Sequence, residues 1–296
     1  MLSRVLPIVL LATACVSAAR ASTILDNVAA QAYRDEAALY PMVGKVTGGF
    51  LNGSGVMISD RWVLTAGHIN AFRSGGIYSV GGVDYTIQTV INHPLHTPAF
   101  SNTYDVGLLY LSAPVVGIEA ATMYRFDSPS SLLGREATWV GNGVTGTGLD
   151  EIRGANEMRA FTNVIDGVTP FIGLPGPSFY SDFDNPDGTS NSLGNSQGSS
   201  ATPTRLEGNV TGGDSGGGVF VMVDGKPYLV GIGSYASFSS VFPAGVNSKY
   251  GAFSGAADLS AFHSWIYDNT GIQAIPEPSA LTVALLGASI ALRRRR

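Results

Sequence analysis

Short apolar runs bounded by turn residues make up most of the chain from residue 42 onward. Valine, isoleucine, leucine and aromatic residues cluster over a few positions and stop at glycine, asparagine or proline, a pattern that predicts β-strands. Strands do not alternate regularly with helical segments, so the pattern argues against a parallel sheet and favours an all-β architecture. The predicted strands lie at 43–46, 55–58, 62–66, 85–91, 106–111, 137–140, 158–165, 218–223, 228–232 and 249–253.

Helical periodicity occurs in two segments that flank this β-rich body. Apolar residues recur at roughly helical spacing within 23–40, which predicts a short helix or pro-segment over 22–41. Apolar residues also share one face of a predicted helix at 259–267, and Asp258 stands where an N-cap belongs. The body is therefore expected to span 42–270 and to end in a short closing helix.

The segment 174–203 breaks the strand pattern. It is rich in glycine, serine, asparagine, proline and aspartate and lacks apolar periodicity, so we expect a long surface loop. Within it, Asp182, Asp184 and Asp187 lie close to a glycine turn, and carboxylates in such turns suit a structural calcium ion. A plain acidic loop is the alternative. Beyond this calcium the sequence predicts no cofactor and no catalytic metal.

Charge along the chain is sparse and acidic. Charged residues are 13% of the 296 residues, against a usual ~25%, and the formal net charge is -5. Without the two terminal segments described next the net charge is -10, because they hold six of the 17 basic residues and one of the 22 acidic residues. Nucleic-acid binding needs a basic face, so the composition argues against a nucleic-acid partner.

The segment 1–21 has the parts of a secretory signal peptide, which implies signal peptidase as a partner. Arg4 supplies the positive charge, an apolar stretch covers 5–14, and small residues mark a cleavage position after Ala21. A transmembrane anchor is one alternative, but the apolar run is too short to span a bilayer. Lipidation at Cys15 is another. Because Cys15 is the only cysteine, cleavage would leave a chain that cannot form a disulfide.

The segment 271–296 combines a short motif, an apolar stretch and a basic end. Pro276-Glu277-Pro278 is followed by mostly apolar residues at 279–292 and then by four arginines. This arrangement resembles the PEP-CTERM sorting signal of Gram-negative bacteria. The resemblance implies processing by an exosortase-like enzyme, export across the inner membrane with transient contact, and a destination in the cell envelope, at the cell surface or in the extracellular matrix. The apolar helix would rise only about 21 Å, against ~30 Å of hydrocarbon, which suits a removable segment; an ordinary tail anchor is the alternative.

Three short motifs carry candidate chemistry. The segment 212–217 reads Gly-Gly-Asp-Ser-Gly-Gly, His68 ends one apolar run, and Asp105 precedes another. A serine hydroxyl needs a base to take its proton, and the imidazole that does so needs a carboxylate to hold its tautomer. Glycines beside Ser215 let the backbone turn sharply and direct N–H groups at one point, where an oxyanion can bind.

In this order and spacing, the motifs resemble those of the trypsin/chymotrypsin-type serine endopeptidases of peptidase family S1. The resemblance covers roughly 42–270 and implies an all-β fold of two antiparallel six-stranded barrels, at about 42–130 and 131–256, with a short C-terminal helix. It implies a secreted hydrolase that acts on a protein or peptide substrate. Further segments agree with the family in order: 53–59, His93-Pro94, Gly141-Asn142-Gly143, 231–235 and 245–250.

The resemblance also implies a role for each candidate residue. Ser215 would be the nucleophile, His68 the general base and Asp105 the residue that orients His68. The N–H groups of Gly213 and Ser215 would form the oxyanion hole. The specificity pocket would be formed by Asn209 at its base and by Ser234, Tyr235, Ala236 and Gly245. A buried carboxylate at the base is what would select Lys or Arg, so the neutral Asn209 predicts an uncharged P1 side chain.

Three alternatives stay open from the sequence. The family's zymogen switch pairs a freed Ile-Val-Gly-Gly terminus with the aspartate before the nucleophile, here Asp214, and no such sequence occurs. Either another group satisfies Asp214 or processing produces an unusual terminus.

The second alternative is an α/β-hydrolase esterase. The segment 213–217 fits Gly-x-Ser-x-Gly, and Asp258 and His263 follow it, but the sequence predicts a β-hairpin after Ser215 rather than the helix that this fold requires. The third is a catalytically weak homologue that binds in the envelope or matrix, although no triad member is missing.

Overall fold

The computed structural model describes residues 22–48, 52–70, 75–96, 104–149, 156–169, 176–194, 199–236 and 248–277. The predicted leader, the predicted membrane segment and Gly245 lie outside the described residues. The helices within them are α1 (Ala30–Ala37) and α2 (His263–Thr270). The strands are β1 (Thr23–Ile24), β2 (Val43–Thr47), β3 (Gly53–Met57), β4 (Trp62–Thr65), β5 (Ile77–Val80), β6 (Val83–Asn92), β7 (Gly107–Leu111), β8 (Tyr124–Arg125), β9 (Glu136–Gly143), β10 (Gly146–Thr147), β11 (Glu157–Val164), β12 (Gly167–Val168), β13 (Ser178–Asp182), β14 (Gly208–Asn209), β15 (Gly218–Val223), β16 (Lys226–Ala236), β17 (Phe253–Asp258) and β18 (Ile275–Pro276).

The first half of the chain closes into a six-stranded antiparallel barrel. Its strands are joined in the order β2-β3-β4-β7-β6-β5, and β2 pairs with both β3 and β5. Every residue of β3 is buried, because one face of this strand fills the barrel while the other meets the second half of the chain. The first of the two predicted barrels is thereby confirmed.

The second half of the described chain forms a seven-stranded antiparallel sheet in the order β11-β9-β15-β16-β17-β13-β12. Trp139, Phe161 and Phe179 pack in its core, where the Trp139 and Phe161 rings stack with centroids 5.8 Å apart. A smaller sheet, β10-β1-β14, lies beside it. The all-β prediction is confirmed. The predicted second six-stranded barrel is not confirmed, because the second-half strands in the described ranges form a seven-stranded sheet without barrel closure.

A β-hairpin follows Ser215, as the sequence predicts. β15 and β16 pair antiparallel and are joined by the two-residue turn Asp224-Gly225, with φ of +49° and +75°. Left-handed values at both positions are what the tightest hairpin turns require. An α/β-hydrolase elbow needs a helix after the serine, so this strand does not support the esterase alternative. His263, its candidate base, is buried in α2, where burial lowers its pKa to about 4.

Two local predictions are wrong. The sequence predicts a strand at 249–253, but Ser248 and Gly251 have φ of +54° and +82° in a turn, so β17 begins only at Phe253. Left-handed backbone cannot continue a strand. The segment 174–203 is not wholly a surface loop either, because β13 lies within it and is completely buried. Turn-forming residues around this strand hide it from a search for apolar periodicity.

Both ends of the described chain form strands that pair with strands of the body. The N-terminal segment contributes β1, inserted between β10 and β14, before α1 begins. Asp258 caps the 3-10 turn ahead of α2, because its carboxylate accepts a hydrogen bond from the Ser260 N–H at 2.9 Å. At the C-terminal end, β18 pairs with β8. Across the described part of the chain, every helix is too short or too polar to cross a membrane.

Candidate active site

His68 and Asp105 are brought together by two neighbouring strands of the first barrel. His68 lies in a 3-10 turn directly after β4, and Asp105 lies just before β7. These strands are antiparallel with Thr65 opposite Gly107, so the end of one meets the start of the other. His68 Nδ1 is 2.7 Å from Asp105 Oδ2, and the His68 main-chain N–H donates to Asp105 Oδ1 at 2.8 Å.

The Asp105 carboxylate is buried and remains the acceptor in this pair. Burial alone would raise its pKa, but hydrogen bonding and charge from His68, together with the Ser234 hydroxyl, hold the pKa below its usual value. Ser234 Oγ donates to Oδ2 at 2.5 Å. An ionised Asp105 places the imidazole proton on Nδ1, which leaves Nε2 of His68 as the basic nitrogen.

His96 and His93 lie on the same side of the barrel as this pair. The His96 side chain is only 3% exposed, and its Nδ1 lies 3.7 Å from Asp105 Oδ1, too far for a hydrogen bond. A Cβ on Gly67 would come within 2.9 Å of the His96 ring, so the residue before His68 must be small. The His93 ring stacks on Tyr104 with centroids 5.1 Å apart. Both histidines therefore make contacts that hold this side of the barrel together.

The Ser215 loop, residues 212–217, is docked against the strand end that carries His68. The Ser215 carbonyl accepts from the Ser54 N–H at 2.8 Å, and the Gly216 N–H donates to the Gly233 carbonyl at 2.7 Å. A Cβ on Gly216 would lie 2.1 Å from the Ser54 carbonyl oxygen and 3.0 Å from the Ala66 nitrogen, so only glycine allows this approach. Ser215 therefore lies beside the backbone that leads into His68.

Two N–H groups of the Ser215 loop are open to a ligand. The Gly212 carbonyl accepts from Val144 N–H at 2.8 Å, and the Asp214 carbonyl accepts from Gly217 N–H at 2.9 Å. In a trans peptide the N–H points opposite to the carbonyl, so the Gly213 and Ser215 N–H groups point away from these partners. Neither N–H has an acceptor among the described residues. The arrangement fits a site for an oxyanion.

Asp214 is buried beside this loop and is satisfied by hydroxyl and amide donors. Its Oδ2 accepts from Ser22 Oγ at 3.1 Å, Thr211 N–H at 2.8 Å and Thr211 Oγ1 at 3.2 Å. Oδ1 has no hydrogen-bond partner among the described residues. Burial raises the pKa of Asp214 to about 6, although the bonds from Thr211 and Ser22 act in the opposite direction. A group other than a freed Ile-Val-Gly-Gly terminus therefore contacts Asp214. It is the hydroxyl of Ser22, which no sequence motif indicated.

The residues predicted for the specificity pocket divide between two places. Asn209 is completely buried in β14; its Oδ1 accepts from Ser254 Oγ at 2.6 Å, and its Nδ2 donates to the Val210 carbonyl at 3.2 Å. Tyr235 and Ala236 lie opposite Gly255 and Ser254 in β17. Strand β17 therefore contacts Asn209, Tyr235 and Ala236. Ser234 points elsewhere, with its hydroxyl on Asp105.

Two of the candidate calcium residues make hydrogen bonds within their own segment. Asp182 Oδ2 accepts from the N–H groups of Ser192 and Leu193 at 2.7 and 3.0 Å, and exposed Asp187 bonds with Thr189. Backbone donors thus occupy oxygens that a cation would need. Within the described ranges, no group of three or more His, Cys, Asp or Glu side chains is arranged to hold a metal ion.

Comparison with known proteins adds to this geometry. Residues 32–161 match the trypsin family model, a span that contains His68 and Asp105 and ends before Ser215. A trypsin from Simulium vittatum is 41% identical in an alignment of 71 residues that covers 21% of this chain and 28% of that protein. The chain therefore spans less than a third of this curated relative.

Two solved structures share the fold over most of both chains. Neuropsin, a serine protease expressed in the limbic system of mouse brain, has a TM-score of 0.52 and 16% identity over 78% of this chain and 94% of its own. HL collagenase has a TM-score of 0.53 and 18% identity over 79% of this chain and 95% of its own. The described chain therefore shares the fold of these two proteins, and its segment 32–161 is similar to the trypsin family.

Proposed function

We propose that this protein is a serine endopeptidase that hydrolyses peptide bonds through His68, Asp105 and Ser215. The observation that carries the proposal is the 2.7 Å contact between His68 Nδ1 and the buried Asp105, directly beside the docked Ser215 loop. A histidine held in one tautomer next to a serine in a glycine-rich turn is the arrangement that acyl transfer needs. The substrate would be a protein or peptide.

The reaction would proceed in two halves. Ser215 Oγ attacks the scissile carbonyl carbon while His68 Nε2 takes the hydroxyl proton, and the N–H groups of Gly213 and Ser215 bind the oxyanion that forms. His68 returns the proton to the leaving amine, and an acyl-enzyme remains on Ser215. Water then attacks the ester carbonyl with His68 again as base, and the carboxylic acid product leaves. Asp105 stays ionised and keeps the imidazole oriented throughout.

An uncharged P1 side chain is the proposed preference. The side chain of Asn209 carries no charge, and its oxygen and amide group are engaged by Ser254 and Val210. Lys or Arg would have to leave water for a pocket whose base residue, Asn209, carries no charge to pair with, which is unfavourable. A small or apolar side chain carries no such penalty.

Export and maturation complete the proposal. Signal peptidase would remove 1–21, so that Ser22 becomes the first residue, and its amino group would lie next to Asp214 because its own hydroxyl already does. An exosortase-like enzyme would remove the apolar tail after transient contact with the inner membrane. The mature protein would then reside in the envelope, at the surface or in the extracellular matrix of a Gram-negative bacterium.

A Ser215→Ala variant tests the chemistry. Wild type should cleave a mixed peptide library after uncharged residues and should be labelled at Ser215 by a fluorophosphonate. Ser215→Ala should lose the labelling and several orders of magnitude of turnover, while Ser112→Ala, at an exposed serine, should keep both. Full activity in Ser215→Ala would overturn the assignment, and cleavage dominated by Lys and Arg would overturn the P1 preference. An unreactive wild type would favour the binding homologue.

A further inference from the structure

Ser54 contacts the Ser215 loop at three points from across the boundary between the two halves of the fold. It lies in β3 of the first barrel and is completely buried. Its N–H donates to the Ser215 carbonyl at 2.8 Å, and its hydroxyl donates to the Gly213 carbonyl at 2.9 Å. Its own carbonyl is the atom against which Gly216 packs. One residue thus contacts positions on both sides of Asp214.

The Ser54 hydroxyl also joins the loop to the second half of the molecule. It accepts a hydrogen bond from the Asn142 N–H in β9 at 2.8 Å while it donates to Gly213. The Ser54 carbonyl is held in turn by the Thr65 hydroxyl at 2.7 Å. Donor and acceptor capacity of this hydroxyl are both used, so its orientation is set by the two strands and the loop together.

These contacts bear on the conformation of Gly213. Its φ is +101°, and glycine has little intrinsic preference between positive and negative φ, so neighbouring hydrogen bonds must select one. The peptide before Gly213 is held by Val144 N–H on the Gly212 carbonyl, and the peptide after it by the Ser54 hydroxyl on the Gly213 carbonyl. With both planes held, the direction of the Gly213 N–H is fixed.

We propose that the Ser54 hydroxyl is a positioning group for the oxyanion hole, an inference that rests on the endopeptidase function proposed above. It acts through Gly213 and does not touch the substrate. Without it, the Gly213 carbonyl loses its donor and the Asn142 N–H loses its acceptor, so the loop can turn its Gly213 N–H away. An oxyanion exists only in the transition state and intermediate, so the loss falls on kcat rather than on substrate binding.

The Ser54→Ala variant separates this role from a general structural one. We expect kcat to fall about tenfold or more with KM nearly unchanged. Affinity for a peptidyl aldehyde, whose adduct carries the oxyanion, should fall by a similar factor, while affinity for a product peptide should hold. Ser54→Gly removes the same hydroxyl but leaves room for a water to bridge the two groups, so its kcat should lie between those of Ala and wild type.

Ser199→Ala is the matched control, since Ser199 is also buried and its hydroxyl donates to Asn191 Oδ1 at 3.0 Å, within another loop. It should leave kcat and aldehyde affinity unchanged. Equal kcat and aldehyde affinity in wild type and both Ser54 variants would overturn the proposal. So would a parallel loss of aldehyde and product-peptide affinity, which would indicate general damage to the site. Failure of wild type to react with fluorophosphonate would instead overturn the endopeptidase function itself.

Discussion

Ser22 Oγ lies 3.1 Å from Asp214 Oδ2, although 192 residues separate the two in the chain. Ser22 is buried and has a φ of +46°, a strained value for a residue other than glycine. β1 begins at the next residue and is held between β10 and β14. The start of the predicted mature chain is therefore anchored beside the residue that precedes Ser215.

The first prediction concerns this start. Protein beginning at Ser22 should have a higher kcat than protein with a short extension before it. A free α-ammonium group at Ser22 can approach Oδ1 of Asp214, which has no hydrogen-bond partner within the part of the chain that the structure describes, and a charged partner stabilises a buried carboxylate. The two forms can be prepared by removing a fusion partner before Ser22 or a few residues earlier, with N-terminal sequencing as the check. Equal kcat values would contradict the expectation.

The second prediction concerns Asp105. Asp105→Asn should lower kcat by about 10³- to 10⁴-fold, because the amide can donate to Nδ1 and stabilise the wrong imidazole tautomer. Peptide hydrolysis at saturating substrate measures the effect. Asp60→Asn changes an exposed aspartate and should retain wild-type turnover. A loss of less than tenfold in Asp105→Asn would argue that His68 does not depend on this carboxylate.

The third prediction concerns pH and stability. Burial raises the pKa of Glu207 to about 9 and that of Asp184 to about 7, and it also raises the pKa of Asp166. Unfolded carboxyls ionise near pH ~4, so above that pH the folded state holds protons that the unfolded state has lost. The free energy of unfolding should therefore fall as pH rises from about 5 to about 9.

Glu207→Gln tests this linkage by removing one of the protons. The slope of unfolding free energy against pH, measured by urea denaturation, should become shallower by up to about 1.4 kcal/mol per pH unit. Glu119→Gln, at an exposed position, should keep the wild-type slope. An unchanged slope in Glu207→Gln would show that Glu207 is ionised in the folded protein.

The fourth prediction concerns the tail. If the sorting signal is processed, the intact mass of envelope-derived protein should correspond to a chain that ends near 275–278. Recovery of full-length protein with Arg296, at its proper location, would favour a simple tail anchor.

A pair of truncations separates the tail from the body. Ending the chain after Glu277 should leave both activity and thermal stability unchanged. Ending it after Thr270 should lower the melting temperature, because Ile272 and Ala274 pack against the core and β18 pairs with β8. Activity should persist in both, since β18 lies apart from His68 and Ser215 in the strand order. Equal melting temperatures would show that these contacts add nothing to stability.

Local patterns in the sequence were enough to predict five of the six strands of the barrel and the hairpin after Ser215, but not β5 (Ile77–Val80). The roles of His68, Asp105 and Ser215 follow from the family resemblance and stay a prediction. Period-two burial and glycine-rich turns are properties of a few adjacent residues, so they can be recognised in the chain itself. The closure of the barrel and the count of seven strands in the second sheet depend on which strands pair, and β13 was missed because turn residues surround it.

Only the tertiary structure revealed the contacts that three serines make at the candidate site. Ser22 on Asp214, Ser234 on Asp105 and Ser54 on Gly213 are joined across 192, 129 and 159 positions of the chain. Serine is common on surfaces and in turns, and a single hydroxyl leaves no periodic signal. These hydroxyls matter because each is buried next to a carboxylate or a carbonyl, where leaving a hydrogen bond unmade costs free energy. Their burial depends on how the two halves of the fold pack together.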